Sequence, residues 1–237
     1  NTRYFENIGT ASIAHFASPE SNPFGLTNVG DWSRSNFVDF DKDGDMDAFL
    51  GGDTGYIYYF ENTGTASTPQ FAAVEVNPFG LTDVGAQGDP NFVDIDSDGD
   101  LDAFIGDRVD GIYFFENTGT VALADFAPKV LNPFSFSDLG LYHRPDFVDF
   151  DADGDLDAFI GAYDGLTYYY ENIGTLAVPL FEARGSDFFA FGDVVTTSTP
   201  EFADLDNDGD LDAFIGEYEG VTNYYENTGT LSSPEFN

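Results

Sequence analysis

Residues Asp39-Phe40-Asp41-Lys42-Asp43-Gly44-Asp45-Met46-Asp47 set five aspartates at alternate positions around a single glycine. The same pattern, D-x-D-x-D-G-D-x-D, returns at residues 94–102, 149–157 and 204–212, each copy 55 residues after the last. Five carboxylates in so short a run repel one another unless a positive charge sits among them. Alternate positions around a tight turn can aim their oxygens at one point. Calcium loops use this arrangement, with side chains at positions 1, 3 and 5, a backbone carbonyl at 7 and a later carboxylate. The side-chain ligands expected in the first copy are Asp39, Asp41, Asp43 and Asp47, with Asp45 giving its main-chain oxygen. The equivalent sets are Asp94, Asp96, Asp98, Asp100 and Asp102; Asp149, Asp151, Asp153, Asp155 and Asp157; and Asp204, Asp206, Asp208, Asp210 and Asp212. An all-oxygen set favours calcium over zinc or copper, and Gly44 allows the sharp turn. A solvated acidic turn is the plain alternative, but random acidity does not keep positions through four copies.

The loop is not an EF-hand. Its twelfth position is Leu50, and Ile105, Ile160 and Ile215 in the other copies, where an EF-hand carries a bidentate glutamate. Phe37-Val38 before the loop and Ala48-Phe49-Leu50 after it read as short strands, so the loop is a hairpin tip. A second motif, aromatic-aromatic-Glu-Asn-x-Gly-Thr, keeps the same period. It begins at Tyr4, Tyr59, Phe114, Tyr169 and Tyr224, five copies against four aspartate loops. Its chemistry is that of a hairpin turn. A third marker, Asn22-Pro-Phe-Gly-Leu26, recurs from Asn77, is altered from Asn132 and is absent from the fourth interval; it reads as a linker.

Each repeat then parses into four short strands, in the first at residues 37–40, 48–51, 56–61 and 70–73, with no helical periodicity anywhere. The third strand is apolar on both faces and needs cover on both sides, as between stacked sheets. Four-stranded units of this length arranged about an axis predict an all-β fold, a β-propeller of antiparallel blades. The expected organisation is one propeller domain, or a fragment of one, over residues 1–237. Its blades fall at about 37–91, 92–146, 147–201 and 202–237, with a partial blade at 1–36.

The stretch Phe-Val-Asp-x-Asp-x-Asp-Gly-Asp-Leu-Asp-Ala-Phe-Ile-Gly resembles the integrin-α-type FG-GAP repeat, and most of all its bacterial VCBS branch. The resemblance spans nearly the whole chain. It implies calcium in the loop between the first two strands of each blade, mapped position by position onto the twenty aspartates above. The family usually closes a ring of about seven blades, as the resemblance implies. Four blades plus an N-terminal strand pair at 3–16 match neither a clean four-ring nor a complete five-ring. The count is compatible with an excised piece of a longer array, with strands exchanged between chains, or with a five-blade ring that has one thin blade.

Composition narrows the partners. The net charge is −37, with seven Lys and Arg against 44 Asp and Glu, and the loops hold twenty of those acids. Four divalent ions would still leave −29, which excludes nucleic acid by any ordinary electrostatic route. Aromatic content of 17% argues against a disordered acidic tail. There is no cysteine, hence no disulfide or thiolate chemistry, and no apolar run long enough for a transmembrane segment. The chain starts at Asn1 and reads as a mature or excised piece of something larger. A secreted or cell-surface location in a calcium-rich medium is expected.

Strand alternation puts the aspartate loops and the Asn-x-Gly-Thr turns on one face. The second-hairpin tips and the connectors lie on the other, where the copies differ. That face carries Trp32, Arg34, Arg108, Tyr142, His143 and Arg144, the candidate partner-binding residues. The expected role is a structural, adhesive or protein-binding module of the extracellular matrix. A carbohydrate-binding lectin is the alternative and a glycan-active enzyme the third reading. No catalytic residues are expected. No Gly-x-Ser-x-Gly motif or triad is visible, and the paired carboxylates are accounted for by calcium. Self-association remains a further partnership.

Overall fold

In the computed structural model, β3 (Arg34–Val38) leads into the first aspartate loop and β4 (Asp47–Gly51) leads out of it, Val38 pairing with Asp47 and Arg34 with Gly51. β5 (Ile57–Phe60) continues the antiparallel sheet and β6 (Glu75–Val76) forms its outer edge. The unit repeats as β7 (Asp89–Val93), β8 (Asp102–Gly106), β9 (Ile112–Phe115) and β10 (Val130–Leu131), then as β11 (Arg144–Val148), β12 (Asp157–Gly161), β13 (Thr167–Asn172) and β14 (Phe181–Gly185). The fourth sheet has three strands, β15 (Thr199–Ala203), β16 (Asp212–Gly216) and β17 (Thr222–Tyr225), followed by isolated bridges at Asn227–Phe236 and Thr230–Ser233. Before all of these, β1 (Arg3–Tyr4) and β2 (Glu20–Ser21) form a separate two-stranded sheet. The structure describes every residue except Ala11, Ala122, Asp138, Asp187, Ala190 and Asp193.

The four sheets stand as the blades of a propeller, with the first strands β3, β7, β11 and β15 neighbouring one another around the axis. No α-helix occurs among the described residues. Three 3-10 turns, Pro23–Gly25, Pro78–Gly80 and Pro133–Ser135, occupy the Asn-Pro-Phe linkers. The asparagine before each turn is left-handed, and its Oδ1 accepts a backbone N–H at the start of a strand or just before it: Thr2 onto Asn22, Ile57 onto Asn77 and Ile112 onto Asn132.

The strand boundaries depart from the expected ones in two places. The first strand begins three residues early, at Arg34, because its polar start lines the axis. The fourth strand lies at Glu75–Val76 in place of 70–73, where only a single bridge joins Phe71 to Asn62. The second strand, not the third, is the most enclosed: every residue of β4, β8 and β12 is buried.

Aromatic stacking joins the blades. Phe49 of the first blade meets Phe92 of the second at 3.9 Å; Phe104 meets Phe147, and Phe159 meets Phe202, both at 4.3 Å. Each such ring, once buried, contributes roughly 2–3 kcal/mol. The glycine ending each second strand is imposed by the next blade. A Cβ at Gly51 would lie 1.9 Å from the Gly88 carbonyl, at Gly106 1.9 Å from that of His143, and at Gly161 2.2 Å from that of Ser198. At Gly216 the nearest atom is 3.6 Å away and belongs to the blade's own Thr199, so the fourth blade does not seat on the first in this way. At that junction Trp32 stacks on Tyr218, ring centroids 5.3 Å apart.

Candidate metal centres and the opposite face

Each aspartate loop is shaped by its own side chains. In the first, the Asp43 N–H donates to Asp41 Oδ1, the Asp45 N–H to Asp43 Oδ1 and the Gly44 N–H to Asp39 Oδ1. The glycine has φ near +97°, as the sharp turn requires. The fourth loop residue is also left-handed in every copy, with φ of 59° at Lys42, 57° at Ser97, 62° at Ala152 and 63° at Asn207. Sequence reading missed that second strained position, since Lys, Ser and Ala carry no signal for it.

The first three aspartates of each loop converge. Oxygens of Asp39, Asp41 and Asp43 lie within 4.8 Å of one another, and the same holds for Asp94, Asp96 and Asp98, for Asp149, Asp151 and Asp153, and for Asp204, Asp206 and Asp208. One oxygen each of Asp45, Asp94, Asp149, Asp155 and Asp210 is buried without a hydrogen-bond partner. Burial and the neighbouring carboxylates push the carboxyls of Asp45, Asp100 and Asp210 upward, and Asp155 to about 6. Clustered like charges with orphaned oxygens fit a hard cation, which would satisfy both at once.

The fifth aspartate turns towards the next strand. Asp47 is 2% exposed; its Oδ1 accepts the Asn62 N–H at 2.7 Å and its Oδ2 the Tyr59 hydroxyl at 3.1 Å. Asp157 does the same with Asn172 and Tyr169, and Asp212 with Asn227 and Tyr224. Asp102 receives only Asn117, because Phe114 stands where the tyrosine would be. Burial lifts Asp47 to about 6 and Asp102 and Asp157 to about 7, against those hydrogen bonds. The same asparagine shapes the following turn. Asn62 Oδ1 accepts from Gly64 and Gln70, so the two sequence motifs meet on one face as expected.

The opposite face gathers the connectors and second-hairpin tips. Tip N–H groups donate to connector carbonyls within a blade, as Arg108 does to Ala86 and Tyr163 to Leu141. The next connector returns the bond, Tyr142 to Arg108 and Thr197 to Tyr163. Trp32, Gln87, Tyr142 and Thr197 share one register position and are all left-handed, with φ between 56° and 59°. Trp32 is 42% exposed, and the Arg108 guanidinium sits 5.5 Å over the Tyr142 ring, which stacks on Tyr163. The other three candidates are drawn towards the axis, and Arg144 reaches it from beneath the Tyr142 ring, its guanidinium 5.6 Å from the ring centroid. His143 is 1% exposed, its Nδ1 3.2 Å from the Asp107 carbonyl oxygen. Arg144 is 3% exposed and donates to Asp89 at 3.0 Å, while Arg34 approaches the same carboxylate at 4.0 Å. Both arginines belong to the polar lining of the axis. There Asn91 also donates to Asp146 at 3.2 Å, and Glu201 occupies the equivalent position of the fourth blade.

Among solved structures, an Agrocybe aegerita lectin described for recognition of non-reducing terminal N-acetylglucosamine is similar, with TM-score 0.50 and 18% identity over 86% of this chain and 51% of that one. The chain thus spans about half that lectin's length. The Photorhabdus luminescens Tc holotoxin pore matches at TM-score 0.41 and 11% identity, over 94% of this chain and 12% of that one. A search of curated proteins returned no match. The model of the FG-GAP-like repeat matches three times, at residues 39–105, 94–160 and 149–215, each match running from one aspartate loop into the strand after the next. With the match covering most of the chain and the blades arranged as described, the protein belongs to the FG-GAP-like repeat family.

Proposed function

We propose that the chain is a calcium-stiffened propeller serving outside the cell as a structural, adhesive or protein-binding module, without catalytic activity. One observation carries the reading. Four aspartate triads occupy equivalent positions, each with converging oxygens, and each of the four loops carries at least one buried carboxylate oxygen lacking a partner. Asp39, Asp41 and Asp43, with their equivalents, would hold the ion, and the ion would supply charge neutralisation and a rigid loop. Titration calorimetry on chelated protein tests this. About four sites are expected, in the range of extracellular modules, roughly 10⁻⁴ to 10⁻³ M. No heat at millimolar calcium would refute it.

A carbohydrate-binding role is the second reading. Its support is the exposed Trp32–Tyr218 stack and the Arg108–Tyr142–Tyr163 group on the face away from the loops, aromatic platforms suited to sugar rings. The similar lectin fold is consistent with it. A glycan array separates the two. Defined hits lost in Trp32→Ala or Arg108→Ala favour a lectin, and an empty array favours the adhesive module.

A further inference from the structure

The fourth junction differs from the other three on both of its sides. At the first and third junctions two rings of one blade fill a cup formed with the next, and at the second Phe104 does so beside Ile95. Phe40 and Phe49 sit among Tyr59, Phe79 and Phe92, and Phe150 and Phe159 among Tyr169, Phe189 and Phe202. The N-terminal end has the cup. The Phe71 N–H donates to the Phe24 carbonyl at 2.8 Å, just as Phe126 does to Phe79, so Phe24 is seated normally. Yet Tyr4, Phe24 and Phe37 are 40%, 38% and 44% exposed, where Phe92 is 3% exposed, and they line an apolar groove of about 410 Å³. The fourth blade has the plug. Leu205 and Phe214 stand where Phe150 and Phe159 do one repeat earlier, only partly buried, and Tyr224 beside them is 43% exposed.

The N-terminal strand is, moreover, a register copy of the strand now in the fourth blade. Residues 2–10 and 222–230 share six of nine identities and lie 220 residues apart, four whole repeats. Tyr224 and Asn227 donate to Asp212. Tyr4 and Asn7 present the same groups with no aspartate facing them among the described residues. Phe5 and Phe16, the counterparts of Tyr225 and Phe236 that pack on Phe191, are 49% and 51% exposed. The two ends are already close on the connector face. Trp32 meets Tyr218 at the register position where Tyr142 meets Arg108.

We propose that residues 2–21 and 222–237 are rival outer strands for the fourth blade, and that the chain closes its ring by exchanging the second for the first. β1 then takes the place of β17 beside β16. Tyr4 and Asn7 take over Asp212, Phe214 enters the groove against Phe37, and Phe24 covers it as Phe189 covers Phe159. The hydrogen bonds are exchanged like for like, so they decide little. Phe5 and Phe16 likewise replace Tyr225 and Phe236 on Phe191, so the burial of Phe24, Phe37 and Phe214, which no released ring offsets, drives the exchange. Tethering in one chain favours it over the same exchange between copies.

Paired cysteines test this, since the chain has none of its own. Gly216 pairs with Thr222, but a closed junction would bring the Ser33 carbonyl onto Gly216 as Ser198 meets Gly161, so the cysteines go one step further along the hairpin, where the Glu217 N–H donates to the Val221 carbonyl at 3.0 Å. Val221→Cys with Glu217→Cys reports the present pairing, and Asn1→Cys, at the counterpart of Val221, with Glu217→Cys the exchanged one. Mild oxidation of dilute full-length protein, followed by intact mass and non-reducing electrophoresis, is the readout. A monomer of the second variant that has lost its two thiol hydrogens supports exchange within the chain, and adding Phe24→Asp should then cut the cross-linked fraction several-fold. Free thiols in the second variant beside complete cross-linking in the first would overturn it. A covalent dimer would overturn the intrachain closure in favour of exchange between copies.

Discussion

At the scale of single residues, the aspartates that look alike in sequence do different work. The first three of each loop face one another, while the fifth is buried and fastens the loop to the asparagine of the following turn. The two roles make separable predictions. Asp98→Ala should abolish one calcium site, read by titration, and leave the calcium-free melting temperature nearly unchanged or raised, since a repelling charge is gone. Asp157→Ala should destabilise the protein with or without calcium, by about 2–4 kcal/mol in urea denaturation, because the Asn172 N–H and Tyr169 hydroxyl lose their acceptor. Asp102→Ala should cost less by about 1 kcal/mol, as Phe114 offers no hydroxyl to strand. Equal costs at the two positions would show that the tyrosine bond contributes nothing.

At the scale of the element, the hairpin β3–β4 and its counterparts are strands held together at a charged tip. Chelation should lower the melting temperature, and calcium should restore it more than magnesium does, because magnesium demands near-ideal octahedral geometry. Superimposable melting curves with and without chelator would remove the stabilising role. The hairpin was largely legible in advance, since alternate aspartates around Gly44 and the flanking Phe and Ile runs each carry their own geometry. Its inner end was not. Arg34-Ser-Asn36 is polar because it lines an axis formed only when four blades assemble. For the same reason His143 and Arg144 read as loop-tip recognition residues and prove buried. A polar residue paired across the axis has no local signature that separates it from one facing solvent.

At the scale of the whole molecule, the axis collects charge that the blades could not hold alone. Asp146 is 9% exposed, and burial holds its carboxyl above the ordinary range; Glu201 is exposed on the fourth blade, and partial desolvation there together with Asp146 raises its carboxyl. For acids raised in the folded state the sign is fixed. Their stabilisation is present below the ordinary carboxylate pKa of about 4 and is lost as pH rises through the raised values, around neutrality. In excess calcium, therefore, the urea midpoint should be higher at pH 5.5 than at pH 8. Glu201→Gln should flatten that dependence, and an unchanged slope would place the titration elsewhere. The ring stack at each junction has a different consequence. One partner always comes from a blade's second strand and the other from the next blade's first, so every blade carries a plug on one side and a cup on the other. Such a joint is indifferent to how many units are strung together. Loss of the second 55-residue unit would bring Phe49 against Phe147 as readily as against Phe92, and duplication of a unit would repeat the joint, so array length is free to drift at each junction.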